Sequence, residues 1–82
     1  MKTGYIYIIK SKKTDDVYIG STKHTILKRF KYHERDFNEG KNKCSSKDII
    51  KYGDAYCELL EKVIYDDIKE LRNKEKEIIK SN

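Results

Sequence analysis

Two short runs of aromatic and β-branched residues, Tyr5-Ile6-Tyr7-Ile8-Ile9 and Val17-Tyr18-Ile19-Gly20, constrain this chain more than any other stretch. Such side chains suit a pleated surface, and the connector Ser11-Lys12-Lys13-Thr14-Asp15-Asp16 has the polarity of a solvated turn. The pair predicts a β-hairpin. Its expected register sets Tyr7 opposite Tyr18, then Ile8 with Val17, Ile9 with Asp16 and Lys10 with Asp15, around a loop of four residues. Residues directly opposite share a face, so the two phenols would stand side by side.

Eighty-two residues suffice for one small domain with a modest core. Charged residues make up 40% of the chain, a balance typical of disorder unless the apolar residues are periodic. They are periodic, as the runs below show, so a folded domain is expected. The formal net charge of +5, concentrated between Lys10 and Lys51, suits a polyanionic partner, and equally suits a merely soluble, lysine-rich surface. Cys44 and Cys57 are the only cysteines, without metal-ligand spacing, so no zinc site is expected. No apolar run reaches the length of a membrane span or signal core, and thiols of this kind point to a reducing, intracellular compartment, cytoplasmic or nuclear.

After the hairpin, a helix is expected to begin between Thr22 and Thr25 and to end at Glu39-Gly40, with Ile26, Phe30, His33 and Phe37 on one face. Arg29 lies on the flank of that face, one turn before His33. Ser45 or Ser46 is placed to cap a short helix from Asp48 to Tyr52, stopped by Gly53. Tyr56 to Val63 reads as a third strand with apolar residues on both faces, as a strand covered by helices requires. Asp66 or Asp67 can cap a last helix whose apolar stripe is Ile68, Leu71, Ile78 and Ile79. Glu75 occupies the inward position that this stripe omits. A carboxylate there is costly unless it is paired, hydrogen-bonded or metal-bound. The order β-β-α-α-β-α predicts an α/β (α+β) domain with a small antiparallel or mixed sheet, not a doubly wound parallel fold.

These residues resemble the GIY-YIG nuclease family, named for two tripeptides on a hairpin. Here they read Tyr5-Ile6-Tyr7 and Tyr18-Ile19-Gly20, followed by Arg29 and His33 on the next helix and Glu75 on the last. The resemblance covers nearly the whole chain, residues 1–82 as a single domain. It implies a three-stranded antiparallel sheet flanked by about three helices, and an endonuclease that hydrolyses DNA phosphodiesters with one divalent ion, Mg²⁺ or Mn²⁺. The first tripeptide departs from the pattern, with Tyr5 where the family has glycine, although Gly4 precedes it. Many members also have an asparagine after the last helix, and Asn82 lies too close to Glu75 to be that residue. The chain is accordingly expected to be a fragment with any DNA-targeting module downstream.

The resemblance also assigns roles. Glu75 would hold the ion by one carboxylate, with water and substrate oxygens completing its shell. Arg29 would offer two parallel donors to the scissile phosphate. Tyr7 would position or deprotonate the attacking water, with His33 accepting its proton, since an unperturbed phenol has a pKa of about 10. Tyr18 would donate a hydrogen bond to phosphate or water. Lys12, Lys13, Lys23, Lys28 and Lys31 are expected to contact the DNA backbone without reading sequence. Cys44 and Ser46 are left outside the reacting groups. Two other readings stay open: a catalytically silent DNA-binding module of the same fold, and a small basic interaction domain whose tyrosines only pack.

Overall fold

The computed structural model describes residues 1–41 and 46–81. Strands β1 (Lys2–Ser11) and β2 (Thr14–Thr22) form the hairpin, helices α1 (Ile26–Asn38) and α2 (Lys47–Ile50) follow, and β3 (Tyr56–Tyr65) and α3 (Ile68–Ser81) close the chain. The three strands make one antiparallel sheet in the order β2-β1-β3. This is the expected order and class.

β1 is central because its run Ile6-Tyr7-Ile8-Ile9 can be buried on both faces, and all four residues are. Alternation divides them between two cores. Tyr7 and Ile9 pack with Phe30 of α1 and Ile49 of α2, while Ile6 packs with Tyr65 and with Leu71 of α3. The sheet therefore carries α1 and α2 on one face and α3 on the other. Gly4 lets α3 sit close, since a Cβ there would lie 2.7 Å from a methyl group of Leu71.

The hairpin register differs from the expectation by two residues. Tyr7 pairs with Gly20 and Ile9 with Tyr18, and Ser11 pairs with Thr14 across a turn of Lys12 and Lys13, with an irregularity between Ile9 and Ser11. A shift of two preserves the face, so Tyr7 and Tyr18 remain on one side as diagonal neighbours instead of an opposed pair. The turn is held from outside by Ser11 Oγ, which donates to Asp54 Oδ1, and by the Lys12 N–H, which donates to Asp54 Oδ2.

β3 is an edge strand, not a covered one. Leu59 and Ile64 are 51% and 54% exposed, and Leu60 and Tyr56 are exposed as well. Its apolar residues reach both faces for another reason: a bulge places Leu60 between Leu59, opposite Tyr7, and Glu61, opposite Ile6. Cys57 and Leu59 thus lie on the Tyr7 face, and Val63 and Tyr65 on the Ile6 face, although all four are odd-numbered.

The helix ends follow their caps. Thr25 Oγ1 accepts the Lys28 N–H and starts α1, and Gly40 takes a left-handed φ of 73° just beyond its end. Gly53, with φ of 83°, follows α2. Ser46 does precede α2, but its side chain caps nothing. In α3, Ile68, Leu71 and Ile78 face the sheet, whereas Ile79, expected in the same stripe, is exposed. Ser45 and Cys44 fall outside the described residues.

Candidate active site

The centre of β1 delivers Tyr7 into the core beneath α1, where it is 1% exposed. Its ring passes over Gly20, its partner in β2, at a distance that admits no side chain: a Cβ on Gly20 would lie 2.5 Å from the Tyr7 hydroxyl. Beyond the glycine, the hydroxyl oxygen lies 2.9 Å from His33 Nε2. Tyr18 closes the cluster, its ring centroid 6.3 Å from that of Tyr7 and 5.3 Å from that of His33, edge-on to the imidazole. These are ordinary aromatic spacings.

α1 supplies His33 and Arg29 from adjacent turns of one face. Burial pushes the Tyr7 hydroxyl above its usual pKa, and the Arg29 guanidinium, within hydrogen-bonding reach, opposes that rise. The His33 imidazole is lowered to about 4, first by burial and then by the Arg29 charge. It is therefore neutral at physiological pH. A neutral imidazole has one donor and one acceptor nitrogen, and both are engaged, since His33 Nδ1 lies 3.0 Å from Ser46 Oγ. Where Tyr7 donates to Nε2, the proton sits on Nδ1 and is donated to Ser46; the other tautomer reverses both bonds.

Ser46 is fully buried and touches His33, although the sequence reading leaves it outside the reacting groups, near a region where relatives of the family often carry polar site residues. A serine before a short helix reads as a cap. Only the packing of α2 against α1 turns its hydroxyl to the imidazole. Gly20 was visible in its tripeptide, but its purpose, passage for the Tyr7 hydroxyl, appears only in the register.

Glu75 lies across the sheet from this cluster and is linked to it by charge. It is half-buried on α3, one turn beyond Leu71, and its charge acts on the Tyr7 phenol, opposing ionisation. Glu75 offers one carboxylate. Among the described residues no group of three or more His, Cys, Asp or Glu side chains gathers, so a cation would rely on one carboxylate with water and phosphate oxygens. Of the five lysines, Lys23, Lys28 and Lys31 are exposed on the turn into α1 and on α1 itself. Lys12 and Lys13 form the distant hairpin turn, where Lys13 Nζ donates to the Tyr52 carbonyl.

The GIY-YIG catalytic domain model matches residues 3–82. This chain belongs to the GIY-YIG family. Among curated proteins it is similar to "Uncharacterized protein 019R" of Invertebrate iridescent virus 6, with 56% identity over 34 residues. That match covers 42% of this chain and 12% of the relative's length. No solved structure matches. GIY-YIG domains are nucleases in general, and they generally use divalent metal ions. In this GIY-YIG domain, Tyr5 takes the place of the first glycine without strain: it pairs as a strand residue with Thr22 and Lys62, and no non-glycine residue among those described has a positive φ. Among the described residues, no helix is long and apolar enough to cross a membrane.

Proposed function

We propose that this domain is a divalent-metal-dependent DNA endonuclease with Tyr7, Tyr18, Arg29, His33 and Glu75 as its reacting groups. The observation that carries the reading is the buried Tyr7–His33 hydrogen bond of 2.9 Å within reach of Arg29. A buried packing tyrosine needs a partner for its hydroxyl, but not a guanidinium beside it.

Phosphodiester hydrolysis requires a positioned water, stabilised phosphoryl oxygens and a relieved leaving oxygen. Arg29 binds non-bridging oxygens of the scissile phosphate through its planar fork. Tyr7 holds the attacking water through a hydroxyl lone pair, its own proton directed at His33. The imidazole near 4 and the phenol above 10 make complete proton transfer in the resting site uphill, so His33 first fixes the orientation of Tyr7. Charge on bound substrate then decides how far the proton moves. Tyr18 donates its hydroxyl to phosphate or to the water. Glu75 would hold Mg²⁺ or Mn²⁺, which supplies Lewis-acid stabilisation of the leaving oxygen. Lys23, Lys28 and Lys31 contact the backbone without reading sequence.

The test is nicking of a supercoiled plasmid with Mg²⁺ or Mn²⁺, beside a chelator control and the Glu75→Ala protein. Cleavage that needs metal and disappears in the folded variant supports the reading, with a loss of at least about 10²-fold expected for a group of this kind. DNA binding without cleavage by the wild type would favour a silent binding module instead. Retained nicking by Glu75→Ala would remove Glu75 from the metal site.

A further inference from the structure

A groove of about 730 Å³ opens beyond the Thr22 end of β2, within the size range of about 300–1,000 Å³ typical of ligand clefts. Of the five reacting groups, Arg29 lines its wall. Lys2 of β1, Lys23 of the turn after β2 and Arg72 of α3 line it too, together with Asp66 and Asp67. The two carboxylates are already engaged: Asp66 lies 3.6 Å from the N-terminal ammonium, and Asp67 Oδ1 accepts the Lys69 N–H. Among the described residues no ion pair or hydrogen bond occupies the side chains of Lys2, Lys23 or Arg72. β1, the turn after β2 and α3 thus each direct a cation, none in a salt bridge among the described residues, into one cleft that begins at the phosphate-binding arginine and also holds two carboxylates.

We propose that this groove takes the sugar-phosphate backbone of the DNA strand adjoining the scissile bond, with Lys2, Lys23 and Arg72 as its phosphate contacts. The proposal rests on the nuclease reading and deepens it by giving the strand a direction, away from Arg29 past the end of β2. The cations belong to separate elements and so suit a chain of phosphates better than a single anion. The hairpin turn, where Lys12 and Lys13 lie, is at the other end of β2 and outside this path.

Affinity for a short DNA duplex, followed by fluorescence anisotropy over a range of salt with a chelator present, tests the groove without cleavage. The Lys2→Glu/Arg72→Glu protein is compared with Lys62→Glu/Lys76→Glu, which makes the same change in charge at exposed positions outside the groove. The groove pair should weaken binding at least about tenfold and reduce the salt slope by roughly 2, about 0.9 for each phosphate no longer neutralised. The outside pair should change affinity by less than about threefold, because diffuse attraction across a Debye length is screened. Equal losses in the two pairs would overturn the groove and leave the nuclease reading standing. A wild type that does not bind duplex DNA at low salt would overturn that reading, and the groove with it. Should circular dichroism show the Glu variant unfolded, Lys2→Gln/Arg72→Gln makes the same comparison with half the charge change.

Discussion

One methyl group decides where the Tyr7 hydroxyl can lie. Gly20→Ala would place a Cβ 2.5 Å from that oxygen, so the phenol must shift away from its present contact with His33. We expect a cost of about 1–3 kcal/mol in stability. Cleavage should fall by about 10²-fold, as for a displacement of about 1 Å at a reacting group. Urea denaturation and plasmid nicking check the two parts, and unchanged nicking by a folded variant would detach Tyr7 from the chemistry. Ser46→Ala acts one bond further out. It leaves His33 Nδ1 without its hydroxyl, at about 1–3 kcal/mol, and releases the choice of tautomer. Nitrogen NMR of the imidazole should show the proton fixed on Nδ1 in the wild type and shared between the nitrogens in the variant, while Ser46→Thr should keep it on Nδ1. A single tautomer in Ser46→Ala would mean that the serine does not set it.

Among the elements, α1 matters most, because it carries Arg29 and His33 on one rigid face. Thr25 caps it by accepting the Lys28 N–H, so Thr25→Ala should cost about 1 kcal/mol. For a domain of this size that lowers Tm by about 4–8 °C. The Thr25 side chain bonds the Lys28 N–H, and its carbonyl, which accepts the Arg29 N–H, is unchanged by the substitution, so cleavage below the transition should hardly change. A large loss of nicking at full folding would show that the helix entry tunes the site. α1 was legible in the sequence because Ile26, Phe30 and His33 keep a helical period that Arg29 accompanies. The hairpin was legible as an element but not in register, since Lys12-Lys13 carries no glycine or asparagine to mark a two-residue turn. The exposure of β3 was hidden by its bulge: an extra Leu60 changes the phase of alternation, and the string then looks like a strand buried on both faces. Ser46 was hidden because its bond joins residues far apart in sequence, and no local pattern distinguishes a serine that caps from one that bonds an imidazole.

At the scale of the whole molecule, the buried imidazole couples folding to pH. An unfolded histidine titrates near 6.5, whereas His33, 2% exposed beside Arg29, titrates near 4. Between those values the unfolded chain holds a proton that the folded one does not. The contribution of His33 is therefore complete above about pH 6.5, declines as pH falls, and is gone below about 4. Over that interval it amounts to about 3 kcal/mol, a large share of what a small domain has. Asp54 does not blur the upper part of the window, since its hydrogen bond from Ser11 holds its carboxyl below the ordinary range and delays its titration to more acid solution. Urea midpoints at intervals from pH 7.5 to 4.5 should thus fall steadily for the wild type from about pH 6.5 downward. His33→Gln should be less stable at neutral pH and much flatter down to about pH 5. Parallel curves for the two proteins would mean that His33 is not held neutral in the core, and the orientation of Tyr7 would then need another source.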